Sequence, residues 1–143
     1  MGFALCTLIS TFCVGLAAAQ GVGIVSPPDG SAVTAGSNIT VEVDRPGSLS
    51  PSIEVAVVIA INSCNNMPCS PPGDALGSIL FNGPFNPQFE NLPPLFVQHE
   101  NYTVTVPASL PAGPAQLSVF HVALVGAGPE PLVEIKNVTL VVG

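Results

Sequence analysis

The sequence predicts an all-β protein, an antiparallel sandwich of about seven strands. Three observations carry that prediction. Apolar and polar residues alternate with period two in several segments, as in a strand with one face buried. Clusters of proline and glycine separate these segments, and 16 of the 143 residues are proline, a residue that costs about 3 kcal/mol inside a helix. Beyond the N-terminal stretch, no segment keeps a helical period for three turns.

In chain order, residues 2–19 come first: GFALCTLISTFCVGLAAA, with no charged side chain. An apolar run of this length with small residues at Ala17 and Ala19 reads as a signal peptide cleaved between Ala19 and Gln20. The expected domains are therefore the signal peptide, 1–19, and one β-sandwich, 20–143, with no membrane span after cleavage. Short strands are expected at 22–25 and 76–82. At 38–44, Ile39, Val41 and Val43 face one way and polar residues the other. The run 53–61, IEVAVVIAI, is apolar nearly throughout, which marks a central strand. At 101–106, Tyr102, Val104 and Val106 face inward. The segment 115–125 is apolar on both faces, with Leu117, Val119 and His121 on the core side. At 132–142 the alternation slips phase between Ile135 and Val138, and a bulge near Lys136 and Asn137 would reconcile the halves. Turns are expected at 26–31, 45–47, 71–74, 82–84, 111–114 and 126–129, each built on proline or glycine. The remainder of 63–100 reads as extended loops.

Charge narrows the function. Arg45 and Lys136 are the two basic side chains against nine acidic ones, for a net charge of -7. Two cations cannot neutralise a run of phosphates, so nucleic-acid binding by charge is excluded. With the signal removed, Cys64 and Cys69 remain, and an even pair in a secretory context reads as a disulfide. Closing so small a loop stabilises the fold by only about 2 kcal/mol. Asn38, Asn101 and Asn137 each head an N-x-[ST] sequon and are the expected N-glycosylation sites.

Candidates for chemistry are few. His99, placed in a loop, and His121, on the core face, are the two imidazoles, and with Glu100 or Asp74 they would make a metal or acid–base site. The stronger expectation is a solvated His99 and a hydrogen-bonded His121. No metal site, cofactor or catalytic residue is therefore assigned. Glu42, Asp44 and Glu54 sit on strand faces where solvation is commoner, and Glu130 and Glu134 flank a hairpin turn. None of these forms a distinctive glycosidase pair. The loop 81–96 holds Phe81, Phe85, Phe89 and Phe96 beside amides and prolines, a composition suited to stacking on sugars. Plugging the open end of the core is the stronger role for these rings, with Phe81, Phe85 and Phe89 kept as candidate ligand contacts.

The run from Val25 through Ser26-Pro27-Pro28-Asp29-Gly30-Ser31 to Gly36-Ser37-Asn38-Ile39-Thr40-Val41 resembles the opening of immunoglobulin-like fungal wall modules. It is similar to the N-terminal domain of yeast cell-wall glucan-assembly proteins and of Ser/Thr-rich GPI-anchored wall proteins. Through Val41-Glu42-Val43-Asp44-Arg45-Pro46, Ile79–Pro87, Leu117–His121 and Leu124–Leu140, residues 20–143 resemble small secreted basidiomycete proteins of unassigned activity. The Ser/Thr-rich stalk and anchor of the wall proteins have no counterpart here. The resemblance implies an immunoglobulin-like fold and an extracellular or cell-wall location, and it carries no catalytic residue across. A copper-dependent polysaccharide monooxygenase would require a histidine as the first mature residue, where Gln20 stands. The expected function is thus a secreted, non-enzymatic glycoprotein acting as a wall-associated or extracellular interaction module. The alternative is a carbohydrate-binding accessory protein using loop 81–96. The expected partners are a cell-wall polysaccharide or another extracellular protein.

Overall fold

The computed structural model describes residues 21–47, 50–65, 68–90 and 97–143. The expected signal peptide and Phe96 lie outside them. Among the described residues the secondary structure is all strand: β1 Gly23–Ser26, β2 Ala32–Val33, β3 Asn38–Pro46, β4 Ser52–Ser63, β5 Ser78–Gly83, β6 Gln88–Phe89, β7 Val97–Thr105, β8 Gly113–Val125 and β9 Glu130–Val142. They form two sheets, one of four strands in the order β1-β3-β7-β6 and one of five in the order β2-β9-β8-β4-β5. No helix among them is long and apolar enough to cross a membrane.

The core lies between the sheets. Val41, Val43, Tyr102 and Val104 enter it from the first sheet, and Val57, Ile59, Leu117, Val119 and Leu140 from the second, all buried. The expected central strands, β4 and β8, pair with each other in the middle of the larger sheet. The other sheet covers their core-facing residues, while Ile53 and Val55 of β4 on the opposite face stand exposed.

Four expectations need correction. The sheets are not purely antiparallel: Ala32 and Val33 of β2 run parallel to Val141 and Val142 of β9. β9 carries no bulge at Lys136 and Asn137, since its pairing with β8 is continuous from Val125↔Glu130 to Gly113↔Val142. The phase slip instead reflects a change of apolar face: Val133 and Ile135 point outward, while Leu140 and Val142 enter the core. Arg45 and Pro46 do not form a turn but extend β3, with Arg45 buried. His99 and Glu100 lie within β7 rather than in a loop.

Gly77 shows how tightly the β4–β5 edge is closed. Its φ of +83° lies in the left-handed region, and a Cβ there would sit 2.4 Å from the Ile61 carbonyl oxygen. Only glycine meets both conditions without strain.

Candidate functional site

The site begins with a register change in β4. Between Glu54 and Ala56 the pairing with β8 shifts, so that Glu54 faces Ala123 and Ala56 faces Val122. Val55 is the extra residue. Because side chains alternate with period two, one inserted residue reverses the facing of everything before it. Glu54 therefore turns inward, while Ile53 and Val55 turn outward and are 63% and 46% exposed. A solvated role for Glu54 is thus overturned.

Inside, Glu54 meets His121, which is fully buried. Their closest atoms, Glu54 Oε2 and His121 Nε2, lie 2.5 Å apart. The other ring nitrogen, Nδ1, lies 3.0 Å from Glu134 Oε1. Glu134 is directly opposite His121 in the β8–β9 ladder and not at the hairpin turn. It also accepts the Val22 backbone N–H. Arg45 donates through Nε to Glu54 and through a terminal nitrogen to Ser52. One imidazole between two carboxylates, with a guanidinium on one of them, satisfies the polar groups that a buried site requires. Burial alone would raise the Glu54 pKa, but the hydrogen bond and charge of His121 and the charge of Arg45 outweigh it and hold the carboxyl below its ordinary value.

This polar end of the core opens into a cleft of about 490 Å³ lined by Arg45, Ser52, Glu54, Phe85, Asn86 and Gln88, among others. Phe85 is buried and packs against the His121 ring in a T-shaped pair, 5.5 Å between centroids. Phe81 stacks obliquely on Tyr102 at 4.5 Å. Both rings thus close the core, as the plugging role requires, whereas Phe89 is 59% exposed. The strand and loop are tied by Glu100, which accepts from the Tyr102 hydroxyl at 2.7 Å and from the Asn86 N–H at 2.6 Å. Burial pushes the Tyr102 phenol well above its ordinary pKa, and the bond to Glu100 adds to that.

The two outer faces differ. The five-stranded sheet presents Ile53, Val55 and Val133 to solvent, with Phe120, Val122, Leu124 and Ile135 half-buried among them. On the four-stranded sheet, Asn38, Thr40, Glu42, Asp44 and, across from them, His99, Asn101, Thr103 and Thr105 form a polar surface. Asn38, Asn101 and Asn137 are all exposed. Cys64 and Cys69 are bonded, with Sγ–Sγ 2.06 Å and Cα–Cα 4.7 Å.

The sequence-based metal candidate does not assemble. His121 lies in the core of one sheet and His99 on the other, and Asp74 sits in a turn where its N–H bonds to Pro71. His99 instead neighbours Glu42 and Asp44, and its Nε2 lies 2.9 Å from Glu90 Oε1. Burial raises the Glu42 pKa, and the adjacent Asp44 charge adds to it. The strand alternation had already placed Glu42 beside Asp44, but a loop assignment for His99 hid the third member.

Fold and site together define an all-β protein of two facing sheets with a buried histidine held between two carboxylates at one end of its core. Residues 17–141 match the Nis1 family, and the chain belongs to it. No curated protein matches the chain.

Proposed function

We propose that the chain is a secreted, N-glycosylated, non-enzymatic interaction module with an immunoglobulin-like fold. Its binding surface is the outer face of the five-stranded sheet, and its partner is another extracellular protein. The carrying observation is the apolar character of that face, where Ile53, Val55 and Val133 stand exposed around Phe120 and Val122. Contiguous exposed apolar surface of this kind marks protein-interaction sites, and sugars offer hydroxyls that such a face cannot hydrogen-bond. The non-enzymatic reading is supported by the mutual pairing of the polar cluster, in which Arg45, Glu54, His121 and Glu134 hydrogen-bond in series. The exposed sequons and the bonded cysteine pair suit an extracellular setting.

Crosslinking of the secreted protein in its native medium tests the surface. A discrete protein adduct is expected, lost on Val133→Lys with Val122→Lys while the circular dichroism spectrum is kept. An adduct unchanged by these substitutions counts against the reading. Intact mass of the secreted form checks cleavage after Ala19, the disulfide and glycan occupancy together.

A second reading, carbohydrate binding, is favoured by the cleft, which Asn86, Gln88 and Gln98 line with amides together with Phe85. Retention on chitin, β-glucan or mannan that Gln88→Ala with Gln98→Ala abolishes would establish it in place of the first.

A further inference from the structure

The outer face of the four-stranded sheet carries a second cluster, remote from the apolar face and independent of it. Glu42 and Asp44 project two residues apart from β3, and His99 stands directly opposite Asp44 on β7. One oxygen from each acid and one imidazole nitrogen lie within 4.8 Å of one another, and all three residues are half-buried.

Two features set this cluster apart from an ordinary solvated patch. Asp44 Oδ1 is closed off from solvent and has no hydrogen-bond partner among the described residues. A buried acceptor left unmet costs about 1–3 kcal/mol, and more when it is charged. The cluster also lacks a counter-charge. Glu42, Asp44 and Glu90 surround a single imidazole. The two basic side chains of the sequence are engaged elsewhere, Arg45 with Glu54 inside the core and Lys136 with Glu134 at 3.9 Å.

We propose that Glu42, Asp44 and His99 bind a divalent transition-metal cation of the zinc class. Two carboxylates and an imidazole are a donor set that such ions accept, at about 2.0–2.2 Å from each ligand atom. The donor atoms would have to draw together from their present spacing to reach that radius, and none of the three side chains is fully buried. His99 Nε2 lies 2.9 Å from Glu90 Oε1; with Glu90 accepting from Nε2–H, Nδ1 would be the nitrogen given to the ion, the carboxylate–histidine arrangement that orients metal ligands. Three protein donors leave a fourth tetrahedral position for water or for a donor from a binding partner. The cation removes both anomalies, by supplying the missing charge and a partner for the Asp44 carboxylate.

Titration of zinc chloride into the chelator-treated secreted protein, followed by calorimetry, tests the assignment. One ion per chain is expected, with affinity at least tenfold weaker in His99→Ala and in Asp44→Asn, both retaining the wild-type circular dichroism spectrum. Glu90→Gln is expected to weaken binding by about 10–100-fold. Calcium chloride, whose ion prefers an all-oxygen shell, is expected to bind more weakly than zinc. In the unmutated protein, zinc should shift the His99 imidazole resonances and leave those of His121 in place, a readout independent of how the variants fold. Absence of saturable zinc binding, unchanged affinity in His99→Ala, tighter calcium binding or unmoved His99 resonances would each overturn the proposal.

Discussion

Glu54 Oε2 and His121 Nε2 lie 2.5 Å apart although 67 residues separate them in the chain. The contact depends on the extra residue at Val55, which turns Glu54 into the core. Removing one member of such a pair leaves its partners buried and unmet, which is costlier than never having built the pair. Glu54→Gln is expected to destabilise the fold by about 3 kcal/mol in urea unfolding. A change within experimental error would mean that Arg45 and His121 find other partners.

The same carboxyl sets the acid limit. Its folded pKa lies below the ordinary 4.5. A carboxyl depressed on folding contributes stability above its unfolded pKa and loses that contribution as pH falls through the folded one. The melting temperature of the wild type is therefore expected to fall as pH drops below about 4.5, while Glu54→Gln shows a shallower acid limb. Parallel melting curves for the two proteins across that range would refute this.

Phe85 and Phe89 separate core from surface within one loop. Phe85 is 4% exposed and Phe89 59%. Truncating a buried phenylalanine costs about 3–5 kcal/mol, whereas exposed positions stay within about 0.5 kcal/mol. Thermal unfolding should therefore distinguish Phe85→Ala from Phe89→Ala by a wide margin. Equal losses would place Phe89 in the core as well.

Gly77→Ala introduces a Cβ only 2.4 Å from a backbone oxygen, at a φ of +83°. The expected loss exceeds about 1 kcal/mol, with β4 and β5 exchanging their amide hydrogens faster than in the wild type. An exchange pattern identical to the wild type would show that the edge can shift to accept the methyl group.

Much of the fold was legible because its cause is local. Period-two alternation located β3, β8 and β9, and a near-continuous apolar run β4, to within two residues. The short strands expected at 22–25 and 76–82 match β1 and β5 as closely, whereas β7 starts four residues before its expected position. The inward facing of Tyr102 and His121 was predicted. β2 and β6 were not legible, since two residues cannot display a period. The site was harder to read for a different reason. Unbroken alternation along IEVAVVIAI puts Glu54 on the solvent side, and only the tertiary shift at Val55 reverses it. Likewise Glu42 and Asp44 looked like the wet side of a strand, and their meeting with His99 depends on the β3–β7 register. Facing within a strand is written in nearest neighbours; which strands lie side by side is not.

The order of strands in the larger sheet has a consequence in time. β4 finds β5 soon after it is made, at Val57↔Gly83, but its other edge waits for β8, at Ile53↔Leu124. β3 likewise waits for β7, at Asn38↔Thr105. As the chain is synthesised from its N-terminus, the apolar run of β4 is complete long before the strand that covers it exists. Such distant pairings form slowly, and an uncovered β-prone segment invites copies of itself. The newborn chain is thus at its most vulnerable before the β8–β9 hairpin arrives, and the last third of the sequence brings that exposure to an end.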